Sequence, residues 1–115
     1  MCGITGMLHF DANRNVSRDL LKKMADTIAH RGPDGEGFYI DKSVGLAHRR
    51  LSIIDLEGGD QPMFNERKDI CIVFNGEIYN YIELKQQLRK LGHSFVTSSD
   101  TEVIIKAYEQ WGFAC

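Results

Sequence analysis

A chain of 115 residues, 43% hydrophobic and 26% charged, carries enough apolar material for one modest core. Its formal charge of -2 and scattered lysines and arginines exclude the basic face that nucleic acid or an anionic membrane requires. No apolar run approaches the ~18 residues of a membrane span and no signal-peptide pattern opens the chain, so a cytoplasmic location is expected. Cys2, Cys71 and Cys115 are too few and too far apart for a disulfide framework, and they do not combine with His9, His30, His48 or His93 at metal-ligand spacing.

Residues 3–10 mix β-branched and apolar types and predict a first strand. Ser17 is placed to cap a helix over residues 18–29, in which Leu20, Leu21, Met24 and Ile28 share one face. His30 and Arg31 suit the negative end of that helix, Gly32 suits a left-handed cap, and Pro33 stops it. Phe38-Tyr39-Ile40 and residues 44–48 flank Asp41-Lys42-Ser43 and predict a hairpin. Residues 51–56 form another extended stretch, closed by the turn Glu57-Gly58-Gly59-Asp60. The unbroken apolar run Ile70-Cys71-Ile72-Val73-Phe74 reads as a strand buried on both faces. Tyr81, Leu84, Leu88 and Leu91 make a helical stripe ending at Gly92. Ser99-Asp100-Thr101-Glu102 is a capping box that opens a helix through Trp111. Strands early and helices at the flanks imply one α+β domain, its helices packed on mainly antiparallel sheets.

Cys2 follows Met1 directly. Removal of Met1 would leave one residue carrying both a thiol and a free α-amine, a nucleophile with its own base. The competing reading is a cysteine that merely starts a buried strand. Asn75-Gly76 leaves the apolar run just before a helix, where an amide side chain and an unobstructed glycine N–H can serve as oxyanion donors or form an ordinary turn. If the segment is extended, Arg49 and Arg50 point to opposite faces, one toward a pocket and the other toward solvent. Arginine there suits a carboxylate ligand or a surface ion pair. Asp100 can hold an ammonium group or act only in a helix cap. Arg31-Gly32-Pro33-Asp34-Gly35 can be no more than a stiff turn.

Read together, Cys2-Gly3-Ile4, Arg31-Gly32-Pro33-Asp34, His48-Arg49-Arg50-Leu51-Ser52-Ile53-Ile54-Asp55, Gln61-Pro62, Asn75-Gly76-Glu77-Ile78-Tyr79-Asn80 and Ser99-Asp100-Thr101-Glu102 resemble the class II glutamine amidotransferase domain of glutamine-hydrolysing asparagine synthetases. The resemblance is colinear over essentially the whole chain and fits these enzymes better than the related hexosamine and purine amidotransferases. It implies an N-terminal-nucleophile hydrolase fold, with stacked antiparallel sheets between helical layers in a four-layer αββα order. It also implies that Cys2 attacks the glutamine side-chain amide and that Asn75 and Gly76 hold the oxyanion. Arg50 would then bind the substrate carboxylate and Asp100, with Glu77, its ammonium group, Ile53 being a further glutamine contact. The product would be glutamate, with ammonia passed to an ATP- and magnesium-using synthetase domain that amidates aspartate.

The expected domain continues with more strands and then that synthetase domain, so residues 1–115 read as a partial amidotransferase domain, incomplete at its C-terminus. This segment needs no cofactor of its own, and the resemblance admits a homodimer of the longer parent. The alternatives are a non-catalytic module of the same fold that senses glutamine or binds a partner, and an amidotransferase serving another acceptor.

Overall fold

A computed structural model of the chain describes residues 1–52 and 58–115. Two compact units emerge, one made of Met1–Ser52, Asp60–Pro62 and Val73–Gly76, the other built from Met63–Ile72 and Glu77–Cys115.

The first unit is a three-stranded antiparallel sheet in the order β1-β3-β2, with β1 at Gly3–Leu8, β2 at Gly35–Asp41 and β3 at Val44–Arg50. β1 ends two residues earlier than its composition predicts. The β2–β3 hairpin is as expected, with Lys42 at φ 50° making its tight turn. Helix α1, Arg18–Thr27, is capped by Ser17, whose hydroxyl accepts the Leu20 N–H at 3.3 Å. Its apolar side meets the sheet in a core of Val16, Leu21, Ala25 and Ala47, flanked by Met7, Phe38 and Ile40.

Two expectations for the end of α1 change. The helix stops at Thr27 and a short 3-10 turn, Ala29–Arg31, carries His30 and Arg31 onward. Gly32 is not a left-handed cap, since its φ is -141°. Glycine is required there because the chain presses on β3: a Cβ would lie 2.3 Å from both the carbonyl carbon and oxygen of Arg49.

The second unit pairs β4 (Met63–Phe64) with β5 (Cys71–Ile72) and adds α2 (Tyr81–Lys90) and α3 (Asp100–Trp111). Leu88, Val103 and Ala107 form its core with Tyr81, Leu84, Phe95 and Trp111. Gly92, at φ 98°, ends α2, with the His93 N–H donating to the Leu88 carbonyl at 3.0 Å and the Gly92 N–H to Arg89 at 3.0 Å. Leu91 therefore sits past the last turn and is half exposed rather than part of the packed stripe.

The run over residues 70–74 is not a strand buried on both faces. Only Cys71 and Ile72 pair, the whole run is half-buried, and residues 73 and 74 belong to the first unit. Asn65 shapes the β4–β5 turn, its side-chain oxygen accepting the N–H groups of Asp69 and Ile70 at 3.0 Å while its amide donates to Glu109 of α3 at 2.9 Å. The architecture is thus mixed, antiparallel strands with helices packed beside them, as the sequence implies.

Candidate functional site

Cys2 immediately precedes β1, whose Gly3 pairs with Arg49 near the end of β3. That pairing lays the thiol against the residue that follows the strand. Its Sγ accepts the Leu51 N–H at 3.2 Å and lies 3.5 Å from the Leu51 carbonyl. The Arg31 Nε donates to the Cys2 carbonyl at 3.1 Å. Asp34 ties down the same strand end, accepting the Ser52 N–H at 2.8 Å and donating its own N–H to the Arg50 carbonyl at 2.9 Å. The segment Arg31-Gly32-Pro33-Asp34 is therefore more than a stiff turn: it braces both chains that flank the thiol. Met1, which precedes Cys2, is 70% exposed.

Arg49 and Arg50 do take opposite faces of β3, but neither points freely to solvent. Arg49 lies on the α1 side, donating to the Ala25 carbonyl at 3.2 Å and pairing with Glu36 at 2.7 Å and with Asp26. Arg50 lies on the other face, 7% exposed, with Nη1 2.6 Å from the carboxylate of the exposed Asp60. The Arg50 guanidinium thus pairs with a carboxylate of this chain, that of Asp60.

On that same face His48 is 1% exposed, and its Nε2 lies 3.2 Å from the Phe74 carbonyl. A carbonyl only accepts, so Nε2 carries the proton. Burial holds the imidazole below the ordinary histidine range, aided by the Arg50 charge and opposed by the Phe74 carbonyl and Asp60. The Phe74 N–H in turn donates to the Gln61 side-chain oxygen at 2.5 Å. Beyond this doubly held residue come Asn75, half-buried, and Gly76, exposed. A Cβ on Gly76 would sit 2.7 Å from the Phe74 ring, so glycine here allows the ring to lie against the main chain.

In the second unit, Asp100 is 6% exposed and accepts the Ile78 N–H at 2.8 Å, holding the segment that follows the exposed Glu77. Asp100 is thus both the first residue of α3 and an anchor for residues far from it in sequence. The capping box is altered. Ser99 accepts the Thr101 N–H at 3.2 Å, while Glu102 reaches back to the N–H groups of Val96 at 2.8 Å and Thr97 at 2.7 Å. Ile53 lies outside the described residues. Cys2, Arg50, Asn75 and Gly76 belong to one unit, Glu77 and Asp100 to the other.

His48 and Gln61 carry contacts that inspection of the residues did not single out. For His48 the available signal was an imidazole directly after the apolar stretch Val44-Gly45-Leu46-Ala47, a polar group that must find a partner if buried; Gln61 carries no such signal. Among the described residues no three His, Cys, Asp or Glu side chains gather as a metal site, and no helix is long and apolar enough to cross a membrane.

A family model described as a glutamine amidotransferase domain matches residues 1–115. Among curated proteins, the chain is similar to asparagine synthetase [glutamine-hydrolyzing] 1 of Bacillus subtilis, 47% identical over 96% of this chain and 18% of the relative. Asparagine synthetase [glutamine-hydrolyzing] 2 of the same organism is 50% identical over 97% of this chain and 15% of its own length. Asparagine synthetase [glutamine-hydrolyzing] 1 of Arabidopsis thaliana is 44% identical over 97% and 19%. The chain spans between 15% and 25% of the length of the curated relatives it matches. Since the family model covers every residue in which the thiol, the strand end and the Asn-Gly segment are placed, the chain belongs to the glutamine amidotransferase domain family.

Proposed function

We propose that this chain is the glutamine-hydrolysing part of an asparagine synthetase and that Cys2, freed of Met1, is its nucleophile. Sulfur attacks the side-chain carboxamide carbon of glutamine while the Cys2 α-amine takes the thiol proton. Asn75 and the Gly76 N–H receive the negative oxygen of the tetrahedral intermediate, a donor of this kind being worth roughly 2.7 to 4 kcal/mol in the transition state. The amine returns the proton as the carbon–nitrogen bond breaks, releasing ammonia and leaving a γ-glutamyl thioester. Water, deprotonated by the same amine, then yields glutamate and regenerates the thiol. Arg50 binds the substrate carboxylate, and Asp100 with Glu77 its ammonium group.

The observation that carries this reading is the thiol seated on Leu51, one residue beyond the buried Arg50, in a chain matched by the amidotransferase model over its whole length. The names of the relatives, glutamine-hydrolysing asparagine synthetases, support a larger scheme in which the ammonia goes on to asparagine synthesis. The ATP- and magnesium-dependent segment that would amidate aspartate, the cytoplasmic location and the four-layer αββα architecture rest on the motif resemblance alone.

The test is the intact mass of the full-length protein before and after exposure to a glutamine-mimicking diazoketone. Loss of Met1 and one adduct, absent in Cys2→Ala, is the expected result. Loss of Met1 with no adduct on a folded protein would refute the nucleophile and favour a non-catalytic, glutamine-sensing module.

A further inference from the structure

We propose that His48 and Gln61 are positioning residues for glutamine hydrolysis, holding the main chain of Phe74 at its carbonyl and its N–H so that Asn75 and Gly76 face the developing oxyanion. The inference rests on the reading of Asn75-Gly76 given above.

Both main-chain polar groups of Phe74 are engaged by side chains: the carbonyl by His48 Nε2 at 3.2 Å, the N–H by Gln61 at 2.5 Å. The carbonyl held by His48 belongs to the same planar peptide unit as the Asn75 nitrogen and Cα. Fixing that oxygen therefore fixes the plane from which the Asn75 side chain departs. Gly76 is reached by a second route, since the Phe74 ring packs where its Cβ would be. A loop carrying oxyanion donors gains most from such bracing, because donors stabilise charge only when they need not reorganise as it forms.

The placement of the two clamps is itself constrained. His48 sits on the central strand, between Ile4 of β1 and Gly37 of β2, and is almost wholly enclosed. Gln61 reaches Phe74 from a backbone lying directly over Gly37, whose missing Cβ leaves the room. His48 thus links the Asn-Gly segment to the strand that also carries Arg50, while Leu51 just beyond holds the thiol. A purely packing role would ask only for volume at position 48. The clamp asks for an N–H donor.

The experiment uses the full-length protein and measures glutamine hydrolysis in wild type, Cys2→Ala, His48→Leu, His48→Gln and Gln61→Leu. It also measures inhibition by glutamate γ-semialdehyde, whose carbonyl the Cys2 sulfur attacks to form a tetrahedral thiohemiacetal. His48→Leu is expected to lower kcat by ~100-fold, the scale of losing one oxyanion donor, with KM little changed and aldehyde inhibition weakened in parallel. His48→Gln, which keeps an N–H at similar reach, restores most of kcat. Gln61→Leu shows the same kcat signature and carries the test if His48→Leu does not fold. Hydrolysis that survives in Cys2→Ala would overturn the underlying reading and the clamp with it. Cys2-dependent hydrolysis with wild-type kcat in the Leu variants, or His48→Gln no better than His48→Leu, would overturn the clamp alone.

Discussion

Replacing Gly37 by alanine probes the link between sheet packing and catalysis most directly. A Cβ at this position would lie 1.9 Å from the Gln61 carbonyl oxygen and 2.8 Å from both the Gln61 carbonyl carbon and the Pro62 Cδ. Ordinary carbon–oxygen contact begins near 3.4 Å, so the Gln61-Pro62 backbone has to retreat by roughly 1.5 Å. Gly37 itself cannot yield easily, being paired with His48 inside the sheet. The retreat carries the Gln61 side chain away from the Phe74 N–H, now 2.5 Å distant, and releases one side of the clamp. Overpacking of this kind costs about 1–3 kcal/mol of stability. A displacement of order 1 Å at catalytic groups costs up to ~100-fold in rate. The assay is glutamate release under saturating glutamine, alongside urea denaturation of the same preparation. Gly35→Ala is the control, since its Cβ would meet only the Arg50 Cβ at 3.7 Å, an ordinary contact. If Gly37→Ala matches Gly35→Ala in both kcat and stability, the argument from close approach is wrong.

Gly32→Ala places a Cβ 2.3 Å from the Arg49 carbonyl and 2.6 Å from the Arg50 nitrogen, and should lower the unfolding free energy by about 3 kcal/mol in urea titrations, the upper end for overpacking. Arg50→Ala should weaken glutamine binding by about 2–5 kcal/mol, read as a raised KM, whereas an unchanged KM would confine Arg50 to its ion pair with Asp60. The depressed His48 titration gives a pH dependence of defined sign. Above the unfolded histidine value of ~6.5 both states are neutral and the full stability is present; as pH falls below it the unfolded state takes up the proton first, so stability declines until the folded imidazole also titrates. Urea midpoints at successively lower pH should show that decline in wild type and a shallower one in His48→Gln.

Some of the molecule was legible from local pattern alone. Ser17 had to cap α1 because its hydroxyl precedes an amphipathic run, and Gly92 had to end α2 because the chain turns left-handed there. The β2–β3 hairpin followed from two strand-like runs joined by a short polar turn. Expectations failed where a neighbour distant in sequence decided the outcome. Gly32 looked like a helix cap and is a contact with β3, and residues 70–74 looked like a core strand although β4 offers pairing partners to only two of them. Glu102 looked like half of a capping box, but the N–H groups of Val96 and Thr97 claim its carboxylate.

The same division holds for the site. A cysteine at position 2, an Asn-Gly pair at 75 and 76 as candidate donors, and two arginines on opposite faces of one strand are matters of residue type, order and a period of two, which the amino-acid sequence determines by itself. Which arginine meets a buried environment, and which histidine and glutamine bond to Phe74 just before the Asn-Gly pair, depend on strand register and on a loop crossing a glycine. Those are contacts between residues 10 to 26 positions apart, and only the tertiary structure decides them, because hydrogen-bond partners and steric clearance are set by distance in space.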